Sequence, residues 1–418
     1  MSKDEQKENK EEVREKLILV GVALSTQEAC DASLSELEEL LNTAGADCVG
    51  RLIQSRERFS SATYIGKGKL EELQAMIRGL DADGIVCDDE LSPAQLRNLN
   101  DMLDCKVLDR TLLILDIFAE RASTSEGKLQ VELAQLRYRA SRLTGLGTSL
   151  SRQGGGIGTR GPGEKQLEVD RRVIHQRIGV LKAELAKVVK NRTVQRSKRE
   201  SENVPVAAIV GYTNAGKSTL LNALTGADIY TQNQLFATLD PTTRKLTLPN
   251  KQELLLTDTV GFIHKLPHHL IDAFRSTLEE AKYADIIIHV VDSANADAQL
   301  HMQVVYDTMK ELQIMDKPIV TVFNKTDRAE ADRMLKDVRA DRQVYLSAKT
   351  EQGFDSLYCA IQELLLADSI YIQKTLPFSK ASLLARVRRE GQLIQEEYRE
   401  DGIYVEAYIP ERLAAALE

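Results

Sequence analysis

Two α/β domains with largely parallel sheets, a pair of long helices between them and a small appended α+β module form the fold class this sequence predicts. Three observations predict it. Short β-rich runs alternate with helical patterns twice, from about Lys16 to Ala122 and from Val204 to about Asp368. Between these stretches, two runs apolar at helical spacing flank a glycine-rich segment. The length of 418 residues suggests about three domains at roughly 150 residues each. The boundaries fall at 16–124 for the N-terminal α/β domain, 125–200 for the helical pair, 203–368 for the second α/β domain and 369–418 for the C-terminal module.

In the first domain the β-rich runs are LILVGVAL, GADCVGRLIQ, DGIVCDD and KVLDRTLLIL, and the helical ones are SLSELEELLNTAG, KGKLEELQAMIRGL and SPAQLRNLNDML. Ser92 and Pro93 make a good helix start, with serine as cap and proline at the first helical position. The helical pair runs from Lys128 to about Leu143 and from Val169 to Arg199. Between its members lies SRQGGGIGTRGPGEKQ, with six glycines and one proline in sixteen residues, which reads as a loop. The second domain has more uniformly apolar strands, VAAIVG, ELLLTD, DIIIHVVD, PIVTVFN and QVYLSA, as a parallel sheet covered on both faces requires. From Ile370 the pattern is a strand, a helix over SKASLLARVRREGQLIQEEY and a strand over GIYVEAYIP.

Composition excludes several classes. Hydrophobic residues at 43% and charged residues at 28% describe an ordinary globular chain with room for a core. No run approaches about 18 apolar residues, so no membrane partner is expected. The first sixteen residues are charged and fit neither a secretory signal nor a transit peptide, which points to the cytoplasm. Five scattered cysteines, Cys30, Cys48, Cys87, Cys105 and Cys359, with no CxxC pair, support neither a disulfide framework nor a zinc site. The net charge of −8 hides a basic segment: from Arg137 to Glu200 there are sixteen Lys/Arg against five Asp/Glu.

The chemistry is concentrated in the second domain. Gly211, Tyr212, Thr213, Asn214, Ala215, Gly216, Lys217 and Ser218 match G-x-x-x-x-G-K-[ST] between a strand and a helical run, with Thr219 opening the helix. Such a loop turns backbone N–H groups toward phosphates at a helix N-terminus, with Lys217 reaching the β and γ phosphates and the Ser218 hydroxyl binding Mg²⁺. After the next apolar run, Asp258, Thr259, Val260 and Gly261 supply a carboxylate for the Mg²⁺ shell and a glycine N–H for the γ-phosphate. Asn324, Lys325 and Asp327 follow PIVTVF. The Asp327 carboxylate can accept from both the ring N–H and the exocyclic amine of guanine, a donor pair adenine lacks. Ser347, Ala348 and Lys349 end the following strand and would meet the guanine carbonyl. The ordered set implies Mg-GTP. The switch segment is Phe236, Ala237, Thr238, Leu239 and Asp240, continuing to Arg244. Thr238 is the candidate second hydroxyl for Mg²⁺, and Thr242 and Thr243 are rivals that spacing does not exclude.

These strings carry a family resemblance. GYTNAGKSTL, LFATLDPTTR, DTVGFI and NKTD, together with YIGKGK, VLDRTLLILDIFAERA, QVELAQL and GGGIGTRGPGE upstream, strongly resemble the HflX family of translation-factor-class GTPases, which sits beside the Obg-like proteins. The resemblance covers nearly the whole chain. It implies a P-loop GTPase domain, and a GTPase that binds and is stimulated by the large ribosomal subunit, in the manner of factors that split or rescue stalled ribosomes. It also implies ATP binding by the N-terminal region. Gly66-Lys67-Gly68-Lys69 is not a phosphate loop of the usual length, so no residue is assigned to ATP.

Two positions bear on hydrolysis. Where Ras-like GTPases place a water-orienting Gln, this chain has Phe262, so intrinsic turnover is expected to be slow unless another group, a cation or a partner positions the water. A buried core role for Phe262 is compatible with this. Asn214 resembles the Asn that helps hold K⁺ beside the phosphates in similar GTPases; its alternative is to brace the loop. The groups that would act in catalysis are Lys217, Asn214, Thr238 and Gly261.

Arg137, Arg139, Arg142, Arg152, Arg160, Arg171 and Arg172 flank the glycine-rich tip and are the expected contacts to ribosomal RNA, against the bland reading of a solvated helix surface. His264, His268 and His269 cluster after the DxxG motif and read as switch-loop residues rather than a metal site. The leading expectation is a monomeric, ribosome-associated GTP switch. The competing ones are a GTP-gated RNA remodelling or ribosome-assembly factor, for which no second catalytic constellation is visible in residues 16 to 200, and a GTP-regulated scaffold, which would leave the basic pair of helices unexplained.

Overall fold

The computed structural model describes residues 14–143, 162–202, 204–226, 235–236, 239, 241–265, 280–329, 334–367, 369–410 and 413–414, with the backbone alone for 162–167, 191–202 and 381–382. The chain divides into two compact units, residues 1–120 with 132–180 and residues 121–131 with 181–418.

In the first unit, strands β1 (Lys16–Ala23), β2 (Asp47–Ser55), β3 (Gly84–Cys87) and β4 (Lys106–Asp109) form a sheet of order β2-β1-β3-β4, parallel throughout. Helices α1 (Gln27–Thr43), α2 (Lys67–Leu80) and α3 (Pro93–Leu103) are the crossovers. Alternation along β1 sorts the two faces. Gly21 faces α1 so closely that a Cβ would lie 2.7 Å from Cys30 Sγ, while Ile18 and Val20 join Leu70, Leu73 and Leu99 in the core of the other face. At the start of α3 the Ser92 hydroxyl accepts from Gln95 N and the Gln95 side chain accepts from Ser92 N, so the expected cap is a full capping box.

KVLDRTLLIL is not a single strand: β4 stops at Asp109 and α4 (Arg110–Arg121) begins at once. Asp109 Oδ1 accepts from Leu112 N at 2.9 Å, an N-cap bond that turns the chain into helix.

Helices α5 (Ser125–Leu143) and α6 (Pro162–Glu202) are the predicted pair. The second starts seven residues before Val169, with Pro162 at its first position, where a missing N–H costs nothing. Arg177 on α6 binds Glu132 on α5 with two hydrogen bonds of 2.7 and 2.9 Å.

In the second unit a six-stranded sheet has the order β10-β9-β8-β5-β7-β6, from β5 (Val206–Gly211), β6 (Thr242–Thr247), β7 (Glu253–Asp258), β8 (Ile286–Asp292), β9 (Ile319–Asn324) and β10 (Arg342–Tyr345). All pairs are parallel except β6 with β7. Helices α7 (Lys217–Thr225) and α9 (Phe354–Ala367) pack Leu220, Leu221, Leu357 and Ile361 against Ile209, Leu256 and Val322, while α8 (Ala298–Glu311) lays Met302 against Val291 and Phe323 on the other face. The chain leaves β5 toward β7 on one side and toward β8 on the other, so the loop after β5 lies at the topological switch point, where open α/β sheets bind ligands.

The C-terminal helix is also shorter than expected. After β11 (Ser369–Leu376), α10 (Ala381–Glu390) ends at Gly391, and the remainder forms β12 (Gln392–Arg399), which pairs antiparallel with β13 (Gly402–Pro410) to complete a β11-β13-β12 sheet. A Cβ on Gly391 would sit 2.6 Å from Tyr408 O, and Glu400-Asp401 make the two-residue hairpin turn between the paired Arg399 and Gly402.

Candidate nucleotide-binding site

The loop from Gly211 to Ser218 has the backbone that phosphate cradling requires. Gly216 has φ 94°, and a Cβ there would lie 2.4 Å from Asn324 Nδ2, so only glycine lets the phosphate loop touch the base-reading loop. Asn214 is left-handed as well, with φ 58°, a conformation asparagine tolerates better than most residues. Its carbonyl accepts from Lys325 Nζ at 2.8 Å. The Lys217 ammonium is buried and donates to Tyr212 O at 2.8 Å. Burial lowers its pKa to about 8, the nearby Lys325 adding to the shift and Asp258 opposing it.

Ser218 and Asp258 meet: the Ser218 hydroxyl donates to Asp258 Oδ2 at 2.7 Å. A hydroxyl and a carboxylate converging at the phosphate loop are the hard oxygen donors that Mg²⁺ takes, so the donor set fits that ion. Thr238, with Ala237 and Asp240, lies outside the described residues. The rivals Thr242 and Thr243 lie on β6 opposite Asp258 and Thr257, with the Thr243 and Thr257 hydroxyls 3.0 Å apart. Phe236 and Leu239 are buried, as is the ring of Phe262. That ring therefore belongs to the core, and the backbone of Phe262 ties its segment to the phosphate loop: Thr213 N donates to Phe262 O at 2.7 Å and Phe262 N to Gly211 O at 3.1 Å. A Cβ on Gly261 would lie 2.8 Å from Thr213 Cα and 3.0 Å from Lys217 Nζ, a closeness that leaves its backbone against the phosphate lysine. Thr259 is held by donating to Ile209 O at 2.8 Å, and Val260 is buried beside it in sequence.

The base-reading segments come together from two strand ends. The buried Asn324 donates through Nδ2 to Ala215 O and accepts at Oδ1 from Ala348 N, each at 2.9 Å, so one side chain joins three loops. Ser347 Oγ donates to Asp327 Oδ1 at 2.6 Å, and that bond lowers the pKa of the exposed carboxyl, keeping it ionised and acceptor-only. Lys349 is exposed beside them.

Two residues outside the motifs also bond to these loops. Asp292 accepts from Lys325 Nζ at 2.7 Å, and the Ser293 hydroxyl donates to Asn324 O at 2.5 Å. The only signal was their place at the end of the strand DIIIHVVDS, level with Asn324 on the neighbouring strand.

The expected RNA-facing arginines divide. Arg171, Arg172 and Arg139 are exposed, Arg137 is half-buried, and Arg152 and Arg160 lie outside the described residues, as do His268 and His269. Arg142 has a different role: it donates to Asp109 Oδ2 at 2.6 Å and stacks over the Tyr138 ring at 3.7 Å, leaving it 11% exposed. Both partners are buried, so the guanidinium is held in toward β4 rather than out in solvent. Gly66 caps α2 and donates its N–H to Gln54 Oε1 at 2.7 Å, and Lys67 to Lys69 form that helix's first turn.

Family models described as GTP-binding GTPase N-terminal, GTP-binding GTPase Middle Region and 50S ribosome-binding GTPase match residues 31–119, 121–199 and 206–325. A GTPase HflX of Lacrimispora saccharolytica is 60% identical over 406 residues, covering 97% of this chain and 96% of that protein. The chain belongs to the HflX family of GTPases. The HflX of Escherichia coli is 42% identical over 397 residues, covering 93% of this chain and 92% of its own length. Among solved structures, a GDP complex of SsGBP is 25% identical with a TM-score of 0.46, covering 84% of this chain and 98% of that one. As an HflX-family GTPase the chain binds GTP and hydrolyses it. Among the described residues, no helix is long and apolar enough to cross a membrane.

Proposed function

We propose that this HflX-family GTPase is a monomeric cytoplasmic factor that binds the large ribosomal subunit, uses its α5–α6 pair and the loop between them as the RNA contact, and couples GTP turnover to the splitting or rescue of stalled ribosomes. The observation that carries this reading is the match of residues 206–325 to a family described as 50S ribosome-binding GTPase. The basic excess from Arg137 to Glu200, with Arg139, Arg171 and Arg172 at the surface, supports a phosphate-rich partner.

In the nucleotide site, Ser218, Asp258 and Thr238 would hold Mg²⁺, which would supply charge neutralisation at the phosphates. Lys217 exchanges its bond to Tyr212 O for phosphate oxygens, Gly261 offers its N–H to the γ-phosphate, and Asp327 with Ala348 N reads guanine. With the Phe262 ring in the core, none of these side chains orients the attacking water, so slow turnover waits for the ribosome or a cation. Asn214 is the proposed K⁺ contact. Its left-handed backbone and its carbonyl bond to Lys325 account for it equally as a brace, and turnover in K⁺ against Na⁺ separates the two. ATP at the N-terminal region is expected from family membership and is assayed by competition with labelled ATP.

The test of the partner is co-sedimentation with purified large subunits in a non-hydrolysable GTP analogue across a salt series. Binding that falls steeply with salt and is weakened at least tenfold in Arg171→Glu/Arg172→Glu is the expected result. Binding only to free RNA would favour the remodelling or assembly reading, and no binding to either would favour the scaffold.

A further inference from the structure

Tyr212 and Thr213 occupy variable positions of the phosphate loop, where the loop's own chemistry asks only for backbone, yet both side chains are buried and engaged. The Tyr212 hydroxyl accepts from His264 N at 2.8 Å, three residues beyond Gly261 of the DxxG motif. Its ring stacks on His301 of α8, with centroids 3.7 Å apart and planes within 5°. The Thr213 hydroxyl accepts from Phe236 N at 3.0 Å, at the start of the switch segment, and its backbone N donates to Phe262 O. Phe236 is held left-handed, with φ 55°, where a bulky residue is strained unless its surroundings fix it.

We infer that Tyr212 and Thr213 form a clasp that holds both switch segments onto the phosphate loop and thereby sets how long GDP stays bound. The clasp is built of side-chain hydroxyls that accept backbone N–H groups, one per switch, and neither hydroxyl is needed to bind phosphate. The γ-phosphate of GTP supplies its own anchor to both switches, through Mg²⁺ and through the Gly261 N–H. The GDP state lacks that anchor, so it depends on the clasp more than the GTP state does. Tyr212 and Thr213 are positioning residues: they act through residues 236 and 262–264 and not on the reacting atoms. The inference rests on membership in the GTPase family and is independent of the ribosomal reading.

The test is stopped-flow release of fluorescent GDP and of a fluorescent non-hydrolysable GTP analogue from the full chain carrying Tyr212→Phe, Thr213→Val or Thr213→Ser. Removing one hydroxyl that accepts a buried N–H should speed GDP release about 3- to 10-fold. Release of the GTP analogue should change by less than about 2-fold, and Thr213→Ser, which keeps the hydroxyl, should match the parent. Circular dichroism of each variant checks separately that the fold is kept. Equal acceleration of both, unchanged GDP release in Tyr212→Phe and Thr213→Val, or a Thr213→Ser variant as fast as Thr213→Val would each overturn the clasp.

Discussion

The two α/β sheets treat the same place in opposite ways. At the carboxyl ends of β3 and β4, the first sheet buries Arg110 at 1% exposure between Asp88, 2.9 Å away, and Glu36, 2.5 Å away, and Asp109 takes hydrogen bonds from Tyr138, Arg142, Leu91 N and Leu112 N. At the carboxyl ends of β5, β7 and β9 in the second sheet, Lys217, Ser218, Asp258 and Asn324 bond chiefly to loop carbonyls and to one another. Ion pairs shut in the first sheet are costly to open, because each loss strands a charge out of water. A lysine on a carbonyl and a serine on a carboxylate can change partners for a phosphate and a metal at little cost. Two α/β sheets of different strand order thus carry one fixed platform and one exchangeable site.

Breaking the first arrangement should have the largest effect. Arg110→Ala leaves Asp88 and Glu36 without their guanidinium and is expected to destabilise the N-terminal domain by about 3–5 kcal/mol. In calorimetry with GDP present, the transition that GDP raises should stay where it is while the other falls. A single merged shift of both would mean that the two sheets are not energetically separate.

In the second sheet, Asp327→Ala removes the carboxylate proposed to accept two guanine donors and should weaken GDP binding by on the order of 100-fold, measured by titration calorimetry, with the fold intact by circular dichroism. A change below about threefold would show that the base is read elsewhere.

His289 sharpens the contrast from beneath the site. It is fully buried on β8, and its Nδ1 lies 3.8 Å from Asp337 Oδ2, too far for a hydrogen bond. Burial therefore decides the direction and holds the imidazole below its ordinary pKa. Between that lowered value and about 6.5, the unfolded chain binds a proton that the folded one does not. Stability of the second domain should accordingly fall as pH drops below about 6.5, by up to about 1.4 kcal/mol per unit. Urea melts of His289→Leu should lack that component of the slope; an unchanged slope would assign it to another group.

The smallest effect is expected at Ser92→Ala, which removes one half of the α3 capping box and should cost about 1 kcal/mol, read from the N-terminal transition.

What the sequence made legible was local. The GxxxxGKS, DxxG and NKTD motifs are legible because each lies within a few consecutive residues, and β5, β8 and β9 because strands covered on both faces are apolar throughout. Partners made through space were not legible. Arg142 reads as a solvent-facing cation on a basic helix until Asp109, 33 residues earlier, is found beneath it. Asp292 and Ser293 gain their roles only when β8 lies beside β9. The run LLIL after Asp109 has no period that separates buried helix from buried strand, and β6, at the sheet edge, has Leu246 as its one apolar residue.

The most direct measurement is GTP turnover by the full chain, alone and with purified large ribosomal subunits, before and after deletion of residues 151–163. Stimulation of at least tenfold that is lost with the deletion is the predicted result. Turnover unchanged by the subunit would contradict the ribosome-coupled account.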